Sequence, residues 1–89
     1  MRVIFYEEGE NEEHILTVEE MDVPLVGDTV WLNAIGRLGV EHLPERFRGH
    51  LEFQVVRRSF SIIVSGPYNN GINAEVLLRP APSTAEEKP

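Results

Sequence analysis

Apolar and polar residues alternate along most of this 89-residue chain, and the alternation predicts β-strands rather than helices. The first strand-like segment runs into a charged turn, and the second ends shortly before Pro24. In the third segment Val30 and Leu32 share one face, and Trp31 lies on the other. We expect the first two segments to pair as an antiparallel hairpin. The three segments cover residues 3–6, 14–21 and 29–32.

The longest strand-like run extends from His50 to Val64, and its apolar positions change parity within the run. Apolar residues up to Val55 have odd numbers, whereas those from Phe60 onward have even numbers. Because neighbouring residues of a strand face opposite sides, both sets face inward only if a bulge or sharp bend lies near residues 56–59. Bends of this kind allow a small sheet to close into a barrel.

The alternation is absent from two other parts of the chain. Residues 33–49 contain three glycines and one proline, and they predict a long loop with one helical turn near Pro44. A last strand, residues 74–79, is followed by a segment without large apolar side chains, which predicts a disordered Pro-rich tail. We therefore expect a single small β-barrel domain over residues 1–80 and this tail over residues 81–89.

Five or six strands joined by tight turns, one of them bent, predict an all-β protein with a partly open antiparallel barrel. The segments at residues 23–32, 53–60 and 74–80 resemble small SH3-like β-barrel proteins encoded by short reading frames of bacteria and phages. The resemblance implies a five- to six-stranded SH3-like barrel, in which the long loop is an insertion. It leaves open whether the source is a bacterial chromosome or a phage or mobile element, and it carries no common activity.

Composition narrows the environment in which the protein works. The chain has no cysteine, so it forms no disulfide and no thiolate metal site. It shows no signal-peptide pattern and no run of about 18 apolar residues. We therefore expect a soluble cytoplasmic protein that contacts no membrane.

Charge is divided unevenly along the chain. Eight of the fifteen acidic residues lie between Glu7 and Asp22, and five of the eight basic residues lie between Arg37 and Arg58. The sequence therefore predicts an acidic hairpin, which contains Glu7, Glu8, Glu10, Glu12 and Glu13, and an arginine region, which contains Arg37, Arg46, Arg48, Arg57 and Arg58. The net charge of −7 disfavours general binding to nucleic acid.

Catalytic and metal-binding patterns are missing from the sequence. No segment matches a nucleophile motif, so we predict that the protein is not an enzyme and has no cofactor. His42, Glu45 and His50 lie in or next to the same loop, but their spacing does not provide the ligand set of a structural or catalytic metal site. We therefore predict no metal site.

The remaining hypothesis is a binding module that acts through protein–protein interaction or assembly, with a protein partner or further copies of itself. Tryptophan and arginine are enriched at the centres of interfaces, and the predicted anchors are Trp31, Leu43, Phe47, Arg48 and Arg58. Two alternatives stay open. The acidic hairpin could mimic nucleic acid and inhibit a nucleic-acid-binding protein, or the arginine region could bind single-stranded nucleic acid.

Overall fold

A computed structural model describes residues 1–34, 41, 43–68 and 70–81, and most of these residues lie in strands. Five strands and one short 3₁₀ turn follow one another along the chain. They are β1 (Arg2–Glu7), β2 (Glu13–Val18), β3 (Thr29–Asn33), the 3₁₀ turn (Glu45–Phe47), β4 (His50–Val64) and β5 (Asn70–Pro80). The predicted all-β class, the extent of β4 and the helical turn after Pro44 are confirmed.

The strands form one sheet in the order β2-β1-β5-β4-β3, which curls into a half-barrel. Three neighbouring pairs are antiparallel, but β1 and β5 are parallel, with Arg2 opposite Asn73 and Glu7 opposite Leu78. The sheet is therefore mixed, and the predicted antiparallel arrangement holds for every neighbouring pair except β1 and β5. The alternation of apolar and polar residues along a strand does not show whether a neighbouring strand that is distant in sequence runs parallel or antiparallel to it.

The predicted interruption of β4 is a β-bulge at Val56. Val55 and Arg57 lie opposite successive residues of β5, so Val56 is the extra residue between them. The bulge restores the side-chain parity and places Val55 and Phe60 on the same face of the sheet. It also bends β4, as an inserted residue normally does.

A tight turn before β3 is hydrogen-bonded to β4 at this bulge. The Asp28 N–H donates to the Leu25 carbonyl at 2.9 Å, and the Leu25 N–H donates to the Asp28 carboxylate at 2.8 Å. Gly27 has a φ of +96°, which glycine adopts without strain. The Gly27 N–H donates to the Val55 carbonyl, and the Val55 N–H donates to the Asp28 carbonyl, each at 2.9 Å.

A second bulge, in β2, was not predicted. Phe5 lies opposite Leu16 but Tyr6 lies opposite His14, so Ile15 has no partner in β1. A regular strand would place Ile15 and Leu16 on opposite faces, yet Ile15 is buried and Leu16 packs against the same core. The bulge thus adds one more apolar side chain to a small core.

The core lies on the concave face of the half-barrel. The 3₁₀ turn places Phe47 against Phe53 of β4, with ring centroids 6.4 Å apart. Where the half-barrel stays open, the edge strands β2 and β3 line an apolar groove of about 210 Å³. The buried cluster consists of Val3, Phe5, Ile15, Phe47, Phe53, Val55, Ala74, Val76 and Leu78.

The two long strands extend beyond the strands that flank them. β3 pairs with β4 only over residues 50–54, and β1 pairs with β5 only over residues 73–78. Residues 60–72 therefore project as a two-stranded ribbon, called the arm below, and the molecule is 59 Å long but only 30 and 25 Å across. Because β5 begins at Asn70, the loop predicted over residues 65–71 is shorter than expected.

The chain beyond the sheet is described only in part. The Ala81 N–H donates to the Glu52 carbonyl at 3.0 Å, so backbone bonding continues one residue past the predicted domain boundary. The predicted disordered tail otherwise falls on residues 82–89, and part of the predicted long loop falls on residues 35–40 and 42. Both segments lie outside the described residues.

Candidate interaction surface

One face of the arm is apolar and open to solvent. In the register of the two strands Phe60 lies opposite Ala74 and Ile62 lies opposite Ile72, and such partners share a face. We call Phe60, Ile62, Val64 and Ile72 the arm face. Their side chains are 49%, 69%, 76% and 45% exposed. Since Ala74 belongs to the buried cluster, the arm face continues the core face of the sheet past the residues that cover it.

The opposite face of the arm has a different character. Ser59, Ser61 and Asn73 alternate with the arm face along the two strands, and Ile63 is the only large apolar residue among the described residues of this side. The arm is therefore amphipathic, with a period of two residues, as in a ribbon that has one covered face. In this protein neither flanking strand reaches far enough to cover it.

The arm also lacks formal charge. Residues 59–74 contain no Asp, Glu, Lys, Arg or His, although charged residues make up 26% of the chain. A solvated surface of this length normally carries charges that keep it soluble and prevent pairing with other strands. Contiguous exposed apolar surface of this kind usually marks a site of interaction.

The acidic hairpin and the arginine region, by contrast, bind each other. Arg46 donates hydrogen bonds to Glu7 and Glu13, and Arg57 donates to both carboxylate oxygens of Glu12 at 2.9 and 3.0 Å. These pairs join residues that are 33 to 45 positions apart in the sequence. Two of the five residues of the predicted arginine region, Arg46 and Arg57, are therefore paired with carboxylates of the acidic hairpin.

Arg79 of β5 extends this network to Glu8. Its Nε and Nη2 atoms donate to the two carboxylate oxygens at 2.6 and 3.0 Å, a bidentate geometry. These hydrogen bonds hold the pKa of Glu8 below its ordinary value and raise the pKa of Arg79. The hydrogen bonds to Glu7 and Glu13 likewise raise the pKa of Arg46.

The lowered pKa of Glu8 predicts part of the acid sensitivity of the fold. Because the folded-state pKa lies below the unfolded one, the pair stabilises the protein above the unfolded pKa, and this contribution disappears as pH falls through the folded value. We expect Glu8→Gln to lose less stability than the wild type when the pH drops from about 6 to about 3. Urea midpoints at the two pH values measure the difference.

Glu10→Gln is the control for this experiment, because Glu10 forms no ion pair with any described residue. It removes one carboxyl from the same hairpin and should keep the wild-type dependence on pH. Equal acid sensitivity of Glu8→Gln and the wild type would contradict a stabilising role for the Glu8–Arg79 pair.

Four of the five predicted anchors cluster around β3 and the 3₁₀ turn. Trp31 is 59% exposed and lies opposite Glu52, and Leu43 packs against the rim of the core. The exposed Arg48 donates from Nε to the Leu43 carbonyl at 3.2 Å. Phe47 is only 1% exposed, so its side chain forms part of the core and is not presented to a partner in this conformation.

Arg58 lies apart from the other predicted anchors. It sits on the arm-face side of β4, next to Phe60 along that face, with its guanidinium carbon 5.9 Å from the Phe60 ring centroid. It lies six positions along β4 from Glu52, the partner of Trp31, which is about 20 Å at the usual rise per residue. Among the described residues Arg58 forms no ion pair, so its charge is available at the base of the arm face.

The arm face itself was missed as a site because its parity assigned it to the core. Two signals in the sequence could have identified it. One is the uncharged segment 59–74, and the other is a 15-residue strand in a chain whose other predicted strands are much shorter. A strand that extends beyond its neighbouring strands leaves part of its inward face uncovered.

The structure offers no metal-binding arrangement in the part of the chain that it describes. No three His, Asp or Glu side chains lie close enough together there to hold an ion. The His50 Nδ1 atom lies 2.8 Å from Asn33 Oδ1, and His42 and Arg37 lie outside the described residues. Of the residues described, none forms a helix with the length and apolar character needed to cross a membrane.

The body and the arm together define a small all-β protein, a curled mixed sheet from which an amphipathic ribbon projects. Comparison with models of protein families, with curated proteins and with solved structures finds no match for this chain.

Proposed function

We propose that this protein is a non-enzymatic interaction module, and that the arm face is its contact surface. The exposed, uncharged and continuous apolar face of residues 60–72 carries this proposal. Water is released from such a face when a partner covers it, which is the main driving force of most protein associations. Arg58 extends the face at its base, and arginine is common at the centre of interfaces.

The charge network favours the arm over the two alternatives. A mimic of nucleic acid needs carboxylates that can meet basic side chains of another protein, but Glu7, Glu12 and Glu13 accept hydrogen bonds from arginines of this chain. Binding to single strands needs cations that can meet phosphates, and the same pairs occupy Arg46 and Arg57. The first alternative would have to break these pairs, and the second would have to break them or rely on Arg48 and Arg58 among the described arginines of the region.

The experiment is a pull-down from lysate with the wild type and two matched variants as bait. Ile62→Lys places a charge on the arm face, whereas Ser59→Lys places the same charge on the opposite face of the same strand. We expect protein partners to be retained by the wild type and by Ser59→Lys, and lost by Ile62→Lys. Retention should survive treatment with nuclease.

Other outcomes would contradict the proposal. Partners retained equally by Ile62→Lys would show that the arm face is not the contact surface. Material lost on nuclease treatment would favour the arginine region, and Arg57→Glu would then abolish its recovery. A basic nucleic-acid-binding partner that is lost when residues 7–13 are neutralised would favour the acidic hairpin.

A further inference from the structure

The described residues of this chain leave the arm face open. Its four side chains are 45% to 76% exposed, and the flanking strands β1 and β3 end before they reach it. The 3₁₀ turn packs on the sheet at Phe53, whereas Ile62 lies about 30 Å further along β4.

A ribbon of this kind needs a covering partner to be stable. Two-stranded hairpins are marginally stable in water on their own, and three strands or a packed face are normally required. The arm is nevertheless a regular ladder, in which Ser61 lies opposite Asn73 and Val64 lies opposite Asn70. A second molecule that packs on the arm face would supply the packed face that such a ribbon lacks.

Electrostatics favours a second copy as that molecule. The chain has a net charge of −7, and like-charged bodies repel when they approach. Residues 59–74 carry no charge, so two copies can join through their arms while the charged bodies stay at opposite ends. A different protein that recognises this chain through charged residues would instead be expected to bind the body, because the arm has no charged residue to recognise.

The size of the face fits a reversible dimer. From their exposed fractions, the four side chains present roughly 400 Å² of mainly apolar surface, which is a typical size for an interaction patch. Two such faces bury about 800 Å² of side-chain surface in total, which is the range of weak and transient association. Two identical faces can pack against each other about a two-fold axis, which is the commonest symmetry of protein dimers.

We propose that the arm face binds the arm face of a second copy of this chain, in a two-fold dimer with the two apolar ribbon faces packed together. This inference rests on the proposed function and names its partner. Ile62 is the middle one of the three arm-face residues of β4, so the dimer places it near the two-fold axis. The arm of each copy then covers the arm face of the other.

Sedimentation equilibrium of the purified full chain tests the proposal over protein concentrations from about 1 to 500 µM. We expect the wild type and Ser59→Lys to form dimers in this range. Ile62→Lys should weaken the association roughly 100-fold, because each dimer then buries two charges. Both variants shift the net charge equally, and circular dichroism serves as the control that each variant is folded.

The absence of cysteine allows a direct test of the geometry. A single Ile62→Cys substitution should form an intermolecular disulfide under mild oxidation, because the two residues lie near the axis. Ser59→Cys places the thiol on the opposite face and should remain monomeric under the same conditions. The disulfide of Ile62→Cys should be suppressed by Val64→Lys in the same chain.

Each remaining outcome overturns the inference. A wild type that stays monomeric at every concentration would exclude the dimer. The proposed function would still stand in that case if the pull-down captures a different protein and this capture is lost in Ile62→Lys. Dimers that persist in Ile62→Lys must form through another surface. Loss of the dimer in both lysine variants, or cross-linking of Ser59→Cys, would exclude packing through the arm face.

Discussion

Phe47→Ala is expected to lower the free energy of unfolding by about 3 to 5 kcal/mol, the usual cost of truncating a buried phenylalanine. Phe47 is 1% exposed and packs against Phe53 from a turn of only three residues. Domains of this size have total stabilities on the order of 5 to 10 kcal/mol, so the variant should be partly unfolded at 37 °C. Urea denaturation followed by circular dichroism measures the change.

Tyr68→Ala is the matched control for this prediction. It truncates an aromatic side chain that is 93% exposed, and it should change the free energy of unfolding by less than about 0.5 kcal/mol. A Phe47→Ala variant that is as stable as the wild type would contradict the burial of Phe47. It would then restore the interpretation of this residue as an exposed anchor for a partner.

Excision of the arm is expected to abolish arm-dependent association and to leave the body folded. Ser61 and Asn73 lie opposite each other, so replacing residues 62–72 with Asn-Gly joins them through a two-residue hairpin turn. The pairing of β5 with β1, which begins at Asn73, is retained. The excised residues contribute little to the core, since Ile62, Val64 and Tyr68 are among the most exposed apolar side chains.

The change in melting temperature after excision shows whether the arm is part of the core. At low protein concentration, where the wild type is not stabilised by association, we expect the melting temperature to change by less than about 5 °C. Ile62→Lys in the full chain provides the comparison, because it should lose association without any shortening. Loss of cooperative unfolding after excision would show that the arm belongs to the core, as the parity of its side chains alone suggested.

The parity of apolar positions was enough to predict the bulge in β4. A strand has a strict period of two, so a change from odd to even positions in one apolar set requires one extra residue. That residue is Val56, within the predicted interval 56–59. Ile15 could not be found in the same way, because two adjacent apolar residues such as Ile15 and Leu16 also fit the two faces of a regular strand, and only the pairing with β1 shows which residue bulges.

The candidate site could not be read from the sequence, because parity identifies a face but does not reveal what covers it. Phe53 and Ile62 have the same inward orientation, yet Phe53 is 2% exposed and Ile62 is 69% exposed. The difference arises because β1 and β3 end before they reach the arm. How far each strand extends along its neighbour depends on the register of pairs that are distant in sequence.

The sequence by itself determined the all-β class, the order and approximate positions of the strands and the interruption of β4, because turn residues and side-chain alternation act locally. Only the tertiary structure decided that β1 and β5 are parallel, that Glu8 pairs with Arg79 across 71 positions and that the arm face is uncovered. These features depend on which distant segments meet. That choice is made by the packing of the whole sheet, which no local pattern encodes.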